Sequence, residues 1–264
     1  MSKISLEQKY DWYERSVQTP ETEVIFMRKW FKKFHGRQPL TLREDFCGTG
    51  AISCEWAKSN PEAQAFGVDL DPEPIGMGKR THWDRLNAKA KSRVKYIEGN
   101  VLDARGFKTD VICAFNFSYF IFKKRSQLLN YFQQAHKGLG KQGMFFMDLF
   151  GGPDSQTVVE ESRKVAKDLT YYWDCQTFNP INAECTFAIH FKDGKGKKHM
   201  NVFTYDWRLW TVAELREILE EAGFSKTVFF WEGDDDKGGG NGIYEPTEVV
   251  ENCQAWVGYI VALV

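Results

Sequence analysis

Two glycines and an acid are spaced as the chemistry of nucleotide binding requires. Gly48 and Gly50 follow an apolar alternation, and Asp69 comes nineteen residues after Gly50. Glycine lets the backbone bend sharply and approach a ligand with no Cβ in the way. In doubly wound sheets, a carboxylate about twenty residues beyond such a turn accepts hydrogen bonds from ribose hydroxyls. The three residues together therefore favour a nucleotide-like ligand, whereas a two-glycine turn alone would indicate an ordinary tight connection.

The segments around these residues predict a strand, a turn, a helix and a second strand. Leu40, Leu42 and Phe46 alternate with other residues, as a first strand requires. Residues 51–57 follow the turn as a helix, whose free N–H groups point back at the turn and favour an electron-rich ligand. Residues 65–69 predict the second strand, so that Asp69 stands at its carboxyl end.

The turn resembles the first motif of the class I S-adenosylmethionine-dependent methyltransferases. That motif runs acid-x-Gly-x-Gly-x-Gly and often contains the string Cys-Gly-Thr-Gly, which this chain has at 47–50. In this register Glu44 takes the place of the motif's acid and Asp69 that of its ribose-binding acid, while Phe46 stands where the family usually has glycine. The resemblance covers residues 40–150 well and the C-terminal forty residues more loosely.

The resemblance implies S-adenosylmethionine as cofactor and assigns its contacts. The family commonly has Gly-Asp after the third strand, where the acid takes the adenine amino group. Asn100 stands there in this chain and can accept that hydrogen bond through its amide oxygen, with Asp103 as the rival if the register slips. The implied cofactor-binding residues are Glu44, Cys47, Gly48, Gly50, Asp69, Leu70, Asn100, Val101 and Asn116.

Further apolar runs extend the sheet. Residues 94–98, 110–115 and 143–148 predict the third, fourth and fifth strands, and helix-like sequence between strands implies parallel pairing with right-handed crossovers. Residues 227–231 and 255–264 supply the last two strands. We therefore predict an α/β fold with a doubly wound, mostly parallel, seven-stranded Rossmann-like sheet.

Residues 151–210 depart from this alternation of strands and helices. Three antiparallel strands are predicted around 171–173, 185–191 and 201–205, the last two joined by a hairpin turn, as a small insertion after the fifth strand. The chain is predicted to be a single domain with four parts. These are an N-terminal lid and helix (1–39), the cofactor-binding core (40–150), the inserted substrate region (151–210), and a C-terminal helix with two strands (211–264). The glycine-rich segment 232–242 is predicted to be a mobile connection.

Candidate residues for the methyl acceptor come from three places. Tyr119 follows the fourth strand and His190 lies in the insertion, and these two are the candidates for proton handling. Arg208 is flanked by tryptophans and could clamp a carboxylate, which predicts a small acid or amino-acid-like acceptor. Ordinary explanations for Arg208 remain open, namely a stacked surface cation or a core-edge residue paired with Asp206. The predicted substrate-binding residues are Tyr13, Tyr119, Trp207, Arg208 and Trp210.

Composition narrows the class of protein. A chain of 264 residues with 42% hydrophobic residues is long enough for one large domain, and a net charge of −1 gives no basic field for a nucleic acid. Six cysteines without a C-x-x-C pair suggest neither a zinc site nor a disulfide framework. No apolar run has the length of a membrane span or a signal peptide. We therefore expect a cytoplasmic protein with no membrane partner and no metal.

The leading expectation for function is methyl transfer from S-adenosylmethionine to an N, O or S atom of a small-molecule acceptor. Such an in-line displacement needs chiefly alignment of the two reactants. An RNA or protein methyltransferase is the second possibility, and it would require the basic segments 79–95 and 192–199 to face the same side. A non-catalytic cofactor-binding module is the third. The acceptor's identity and the oligomeric state stay open at this point.

Overall fold

A large sheet and a smaller antiparallel one organise the chain in the computed structural model, which describes residues 4–103, 106–235 and 239–264. The helices are α1 (Leu6–Val17), α2 (Pro20–His35), α3 (Ala51–Ser59), α4 (Pro72–Thr81), α5 (Ala88–Lys91), α6 (Arg125–Gly138) and α7 (Val212–Ala222). The strands are β1 (Thr41–Asp45), β2 (Gln64–Asp69), β3 (Val94–Glu98), β4 (Thr109–Ala114), β5 (Leu139–Gly151), β6 (Glu160–Ala166), β7 (Leu169–Asn179), β8 (Glu184–Asp193), β9 (Lys198–Arg208), β10 (Lys226–Asp234), β11 (Gly240–Pro246) and β12 (Trp256–Leu263).

The large sheet has the order β11-β10-β12-β5-β4-β1-β2-β3. Strands β1 to β5 are parallel, and β12 runs antiparallel to both β5 and β10. The strand order reverses between β1 and β4, which is the switch point where doubly wound sheets bind ligands at the carboxyl ends of their strands. The predicted doubly wound α/β fold is confirmed.

The prediction of seven strands is wrong by one, because β11 adds an eighth to the described sheet. The described ends of the segment that we expected to be a mobile connection instead belong to a β10–β11 hairpin, in which Asp234 pairs with Gly240. Strand β11 was not predicted because the glycines and acids of this segment have low β propensity. Residues 236–238 of the segment lie outside the described part of the chain.

The core lies on both faces of the large sheet. Helix α2 buries Met27, Trp30 and Phe31 against one face, which includes Phe146 and Phe230. On the other face, α6 and α7 bury Leu128, Phe132 and Leu219, with Phe145 of β5 among them. Strand β5 is therefore apolar on both faces, as its near-continuous apolar run predicts.

The second sheet has the order β6-β7-β8-β9, one strand more than predicted. The missed strand, β6, has the sequence Glu-Glu-Ser-Arg-Lys-Val-Ala, which is too charged to show an apolar alternation. In β7 and β8 the rings of Trp173 and Phe187 stack with centroids 4.7 Å apart. These aromatic side chains belong to the core shared with the large sheet.

Helix ends largely follow the sequence signals. Thr211 and Glu214 form the predicted capping box of α7, and Gly223 ends that helix in the left-handed conformation. Gly36 ends α2 in the same way, although the side chain of Thr19 makes no capping hydrogen bond. Within the described residues, no helix is long and apolar enough to cross a membrane.

Candidate functional site

The turn after β1 has a left-handed backbone at three positions. Phe46, Gly48 and Gly50 have φ values of 57°, 54° and 66°. Such a conformation strains a non-glycine residue. The ring of Phe46 packs against Tyr131 and Phe122, with centroids 5.5 and 6.1 Å away. Aromatic packing thus accompanies the strain at the position where the resembling family usually has glycine.

The two glycines differ in what surrounds them. A Cβ on Gly50 would lie 2.5 Å from the ring of Tyr96, whose hydroxyl donates to the Thr49 carbonyl at 2.8 Å. A Cβ on Gly48 would meet no atom within 4 Å. Gly50 therefore allows β3 to pack under the turn, while Gly48 leaves the outer side of the turn open to a ligand.

Asp69 at the end of β2 joins the turn as predicted. Its Oδ2 accepts from the Gly48 N–H at 2.7 Å, and its Oδ1 accepts from the Asp71 N–H at 2.9 Å. Burial raises the pKa of this carboxyl group, and these backbone N–H groups partly offset the effect. An ionised carboxylate has about four acceptor positions, so the group can still accept ribose hydroxyls.

Glu44 and Cys47 lie beneath the turn. The Glu44 Oε2 accepts from the Ser53 N–H at 2.8 Å and from the Ser53 hydroxyl at 2.6 Å, at the start of α3. Burial raises the pKa of Glu44 to about 8. The Cys47 N–H donates to the Val68 carbonyl, and its thiol is buried. Both residues hold the turn between β1, β2 and α3.

The residues predicted to meet an adenine follow β3. The amide oxygen of Asn100 accepts from the Leu102 N–H at 3.0 Å and so caps a short 3-10 helix, Val101–Asp103. Val101 is buried, whereas Leu70, after β2, is 69% exposed. Asp103 is exposed to solvent. The residues after β2 and β3 thus border one end of the switch-point crevice.

Asp148 holds the loop after β4, and sequence reasoning gave it no role. Its two carboxylate oxygens accept from the Asn116 N–H at 2.8 Å and from the Phe117 N–H at 2.9 Å. Both of those residues have left-handed backbones, each with φ 57°. Burial raises the pKa of Asp148 to about 7. The sequence signal that could have pointed to Asp148 is an acid at the end of the apolar run predicted as the fifth strand.

A cavity of about 590 Å³ lies between the carboxyl edge of the large sheet and the antiparallel sheet. It has contributions from both sheets, from the loops after β4 and β5, and from α1. Asn116, Tyr13 and Trp207 are the predicted site residues that line it. Its aromatic lining consists of Tyr13, Phe117, Phe150, Tyr171, Trp173, Phe187, Tyr205, Trp207, Tyr244 and Trp256.

The charged groups lining this cavity are acids. They are Asp154, Glu161 and Glu232, and none of the described lining residues is a lysine or arginine. The Glu232 carboxylate accepts from the Gly242 N–H at 2.7 Å and from the Tyr244 hydroxyl at 3.2 Å. For the Asp154 and Glu161 carboxylates, the described part of the chain supplies no hydrogen bond and no ion pair. The cavity is therefore aromatic and anionic.

Helix α1 contacts both the glycine turn and the cavity. Glu14 accepts from the Thr49 hydroxyl at 2.6 Å and lies 2.8 Å from the His82 Nε2. On the same helix the Tyr10 hydroxyl donates to Glu73 at the start of α4, and Tyr13 lines the cavity. The segment that we predicted to be a lid thus spans the two halves of the site.

The position of Tyr119 corrects the prediction that it handles protons or lines the acceptor site. Its side chain is fully buried, and its hydroxyl donates to the Asp148 backbone carbonyl at 2.8 Å. Burial raises the pKa of its hydroxyl well above the usual value. A hydroxyl committed to a core carbonyl is not available to an acceptor.

His190 is also a correction, because it is buried on the side of the antiparallel sheet away from the cavity lining. Its Nδ1 accepts from the Asn201 N–H at 2.8 Å, which places the ring proton on Nε2, 3.1 Å from an Asp174 oxygen. Glu160, Asp174 and His190 are close enough together to suggest a metal site. Because the Nδ1 lone pair accepts a hydrogen bond and Nε2 carries the proton, His190 has no free lone pair for a metal ion. We therefore interpret the cluster as a hydrogen-bonded structural network.

Arg208 does not point into the cavity. Its guanidinium pairs with Glu214 at 3.0 Å, donates to the Lys123 carbonyl and lies 3.7 Å from the ring centroid of Trp210. Trp210 is buried beneath it and lies outside the cavity lining. Side chains alternate along a strand, so Trp207 faces the cavity and Arg208 the opposite side. This geometry corrects the predicted carboxylate clamp and Trp210 wall, and it agrees with the stacked-cation explanation.

The basic segments that an RNA-binding surface would need are partly engaged within the protein. Arg93 donates to four backbone carbonyls, including those of Ala63 and Lys89. Lys91 pairs with Asp84, and Lys198 with Glu160. These contacts give the side chains structural roles.

Comparison with known proteins was made by sequence and by structure. No protein-family model matches the sequence, and a search of curated proteins gives no match. A solved S-adenosylmethionine-dependent methyltransferase from Clostridium acetobutylicum ATCC 824 superposes with a TM-score of 0.70, over 97% of this chain and 96% of that one, at 16% identity. Streptomyces venezuelae DesVI gives 0.71, with 99% of each chain covered at 15% identity.

The chain has the class I methyltransferase fold. A third structure with this methyltransferase fold is CalS10, an amino pentose methyltransferase from Micromonospora echinaspora involved in calicheamicin biosynthesis, solved with S-adenosylmethionine bound. It superposes with a TM-score of 0.68 over 100% of this chain and 99% of that one, at 13% identity. The coverage includes the antiparallel sheet, so the inserted region is part of the shared methyltransferase fold.

Proposed function

We propose that the protein transfers a methyl group from S-adenosylmethionine to an amine nitrogen of a small molecule. The observation that carries this proposal is the aromatic cavity whose charged lining residues are all acids. An amine that binds as its ammonium form would gain from carboxylates and from aromatic faces alike. A carboxylic acid acceptor, which Arg208 had suggested, would meet only repulsion there.

The crevice at the switch point has the features that S-adenosylmethionine requires. Gly48 leaves its side of the turn open, Asp69 has acceptor capacity left for ribose hydroxyls, and Asn100 and Val101 border the end where an adenine would lie. When bound, this cofactor supplies an electrophilic methyl group on a sulfonium, transferred by in-line displacement. Asn116 belongs to both regions, because it follows β4 in the crevice and lines the cavity.

The residues of the cavity would position the acceptor and exclude water. Glu161 of β6 and Asp154 of the loop after β5 offer carboxylates with no protein partner in the described chain, and Trp173, Tyr205 and Trp207 form an aromatic wall. Orienting a nucleophile beside an electrophile can supply much of the rate enhancement of a displacement. Because a nearby carboxylate stabilises the ammonium form, the amine must release its proton to solvent before its nitrogen lone pair attacks the methyl group. The name of CalS10, an amino pentose methyltransferase, supports an acceptor that carries an amino group.

The cofactor assignment predicts that Asp69→Ala will lose most of the affinity for S-adenosylmethionine. Each charge-assisted hydrogen bond to a ribose hydroxyl contributes about 1.5–3 kcal/mol. Titration calorimetry with S-adenosylmethionine would measure the loss, and Asp103→Ala is the matched control because its carboxylate is exposed at the same edge. Undiminished affinity in the Asp69 variant would defeat the assignment, and a larger loss in Asp103→Ala than in Asn100→Leu would show that the register after β3 is shifted by three residues.

The acceptor assignment predicts that Glu161→Gln raises KM for an amine acceptor about tenfold, with little change in kcat. The reason is that removal of an ammonium contact costs about 1.5 kcal/mol. The assay uses methyl-labelled cofactor and a panel of amino sugars, each paired with its hydroxyl counterpart, followed by mass spectrometry. Glu160→Gln is the control, since it removes the same charge from the neighbouring position, outside the cavity lining. Label found on oxygen rather than nitrogen would contradict the proposal.

A further inference from the structure

Glu23, in the first turns of α2, carries a buried carboxylate that is not fully satisfied. Its side chain is 7% exposed, and its Oε2 has no hydrogen-bond partner among the described residues. An unpaired buried oxygen destabilises the folded protein, and does so more strongly if it is charged. Glu21, two residues earlier on the same helix, is exposed to solvent.

The groups that face Glu23 from the packed elements are acids or neutral. Asp148 of β5 and Glu44 of β1 are the two carboxylates that act on it electrostatically. It acts in turn on the hydroxyls of Tyr13 in α1 and Tyr259 in β12, and on the thiol of Cys113 in β4. No described lysine or arginine is among the groups that affect its titration.

Helix α2 packs on the sheet face that includes β1, β4 and β5, and the two acids that act on Glu23 belong to β1 and β5, on either side of β4. Glu44 is the next-to-last residue of β1, just before the glycine turn, and Asp148 holds Asn116 beside the cavity. Glu23 itself does not line the cavity. Of the two ligands proposed above, the cofactor is the one that would bind at the turn next to Glu44, so we take the cofactor as the source of a cation for the Glu23 Oε2.

We propose that the Glu23 carboxylate is the counter-ion for the ammonium group of the bound cofactor, and that it gives up a proton when that group binds. This inference rests on the proposed function, since it assumes a cofactor with an amino-acid end. The proton balance is simple: the neutral carboxylic acid of the free protein becomes a carboxylate paired with the ammonium, and the proton passes to the buffer.

The titration of Glu23 fits this exchange. Burial, followed by the charges of Asp148 and Glu44, raises the pKa of Glu23 to about 8, so the group is mostly protonated at pH 7 in the free protein. A cation nearby lowers the pKa of a carboxyl group. Binding should therefore release close to one proton from Glu23 at pH 7, and much less at pH 9.5, where the group is already ionised.

The test measures proton release in titration calorimetry at pH 7 in buffers of different ionisation enthalpy. The probes are S-adenosylhomocysteine, which has the ammonium, and 5′-methylthioadenosine, which lacks the whole amino-acid end. We expect Glu23→Gln to reduce the release with S-adenosylhomocysteine by about one proton while leaving affinity for methylthioadenosine unchanged. Glu21→Gln, on the same helix, should behave as the wild type.

The outcomes separate the two proposals. Equal proton release by the wild type and the Glu23→Gln variant would overturn the role of Glu23, and so would equal release with the two probes. If the wild-type protein bound neither probe, the proposed function itself would fail. Because glutamine keeps the shape of the side chain, circular dichroism of the variant should match the wild type.

Discussion

Replacing Gly78 with alanine should destabilise the protein by about 3 kcal/mol and weaken cofactor binding strongly, although Gly78 lies outside the glycine turn. A Cβ built on Gly78 would lie 1.7 Å from the Thr49 carbonyl oxygen and 2.8 Å from its Cα. The obstacle is backbone, which cannot rotate away as a flexible side chain can. Overpacking of this kind typically costs 1–3 kcal/mol, and sometimes more. Urea unfolding and calorimetry with S-adenosylhomocysteine would measure the two effects.

The same helix supplies a matched control. A Cβ on Gly76 would meet only the Arg80 Nη1, at an ordinary 3.9 Å, and alanine is favoured over glycine inside a helix by about 1 kcal/mol. Gly76→Ala should therefore be neutral or stabilising and should leave cofactor affinity unchanged. If Gly78→Ala behaved like Gly76→Ala, then α4 would not press on the turn as described.

Replacing Arg43 with methionine should cost about 3–5 kcal/mol, because it leaves a buried carboxylate unpaired. The Arg43 and Asp45 side chains are fully buried, with Nε 2.8 Å from Oδ1 and Nη2 2.9 Å from Oδ2. The Tyr131 hydroxyl adds a hydrogen bond to Asp45 at 3.0 Å. Denaturant unfolding would give the loss in the free energy of unfolding.

Two further measurements make this prediction specific to the unpaired charge. Burial already raises the pKa of Asp45 in the folded protein, while Arg43 and Tyr131 offset part of the effect, so loss of the arginine would raise this pKa further. The stability deficit should then be larger at pH 8 than at pH 5, since a raised pKa contributes stability at low pH that is lost as pH rises. The Arg43→Met, Asp45→Leu double variant should be more stable than Arg43→Met alone. A deficit independent of pH, or an additive double variant, would point to lost packing instead.

The sequence was sufficient to predict the doubly wound fold and the place of the glycine turn at the end of β1. Gly48, Gly50 and Asp69 were singled out by their spacing, and in the structure the Gly48 N–H donates directly to the Asp69 carboxylate. Such local signals survive folding because the turn needs left-handed backbone and the strand end needs an acid. The role of Gly78 was not visible, since it depends on how α4 packs against a turn about thirty residues away.

The acceptor side was harder to predict, because it is built from strands whose pairing the sequence does not specify. Trp207 and Arg208 are adjacent, so only one of them can face the cavity, and the register of β9 decides which. Glu161 lies in a strand that has no apolar alternation, and it becomes relevant only when β6 pairs with β7. Glu23 looks like one more acid at a helix start until its burial is known.

Strand β11 affects the tendency of separate molecules of this protein to associate through their sheet edges. Strand β11 is a short edge strand of the large sheet, and the unpaired N–H and C=O groups of an exposed edge strand can pair with a strand of another chain. Pro246 lacks an N–H to donate, Glu245 brings charge, and the register shifts in β10 opposite this strand. These are the features by which natural sheets resist growing into aggregates. The glycine-rich hairpin therefore protects the sheet against intermolecular strand addition.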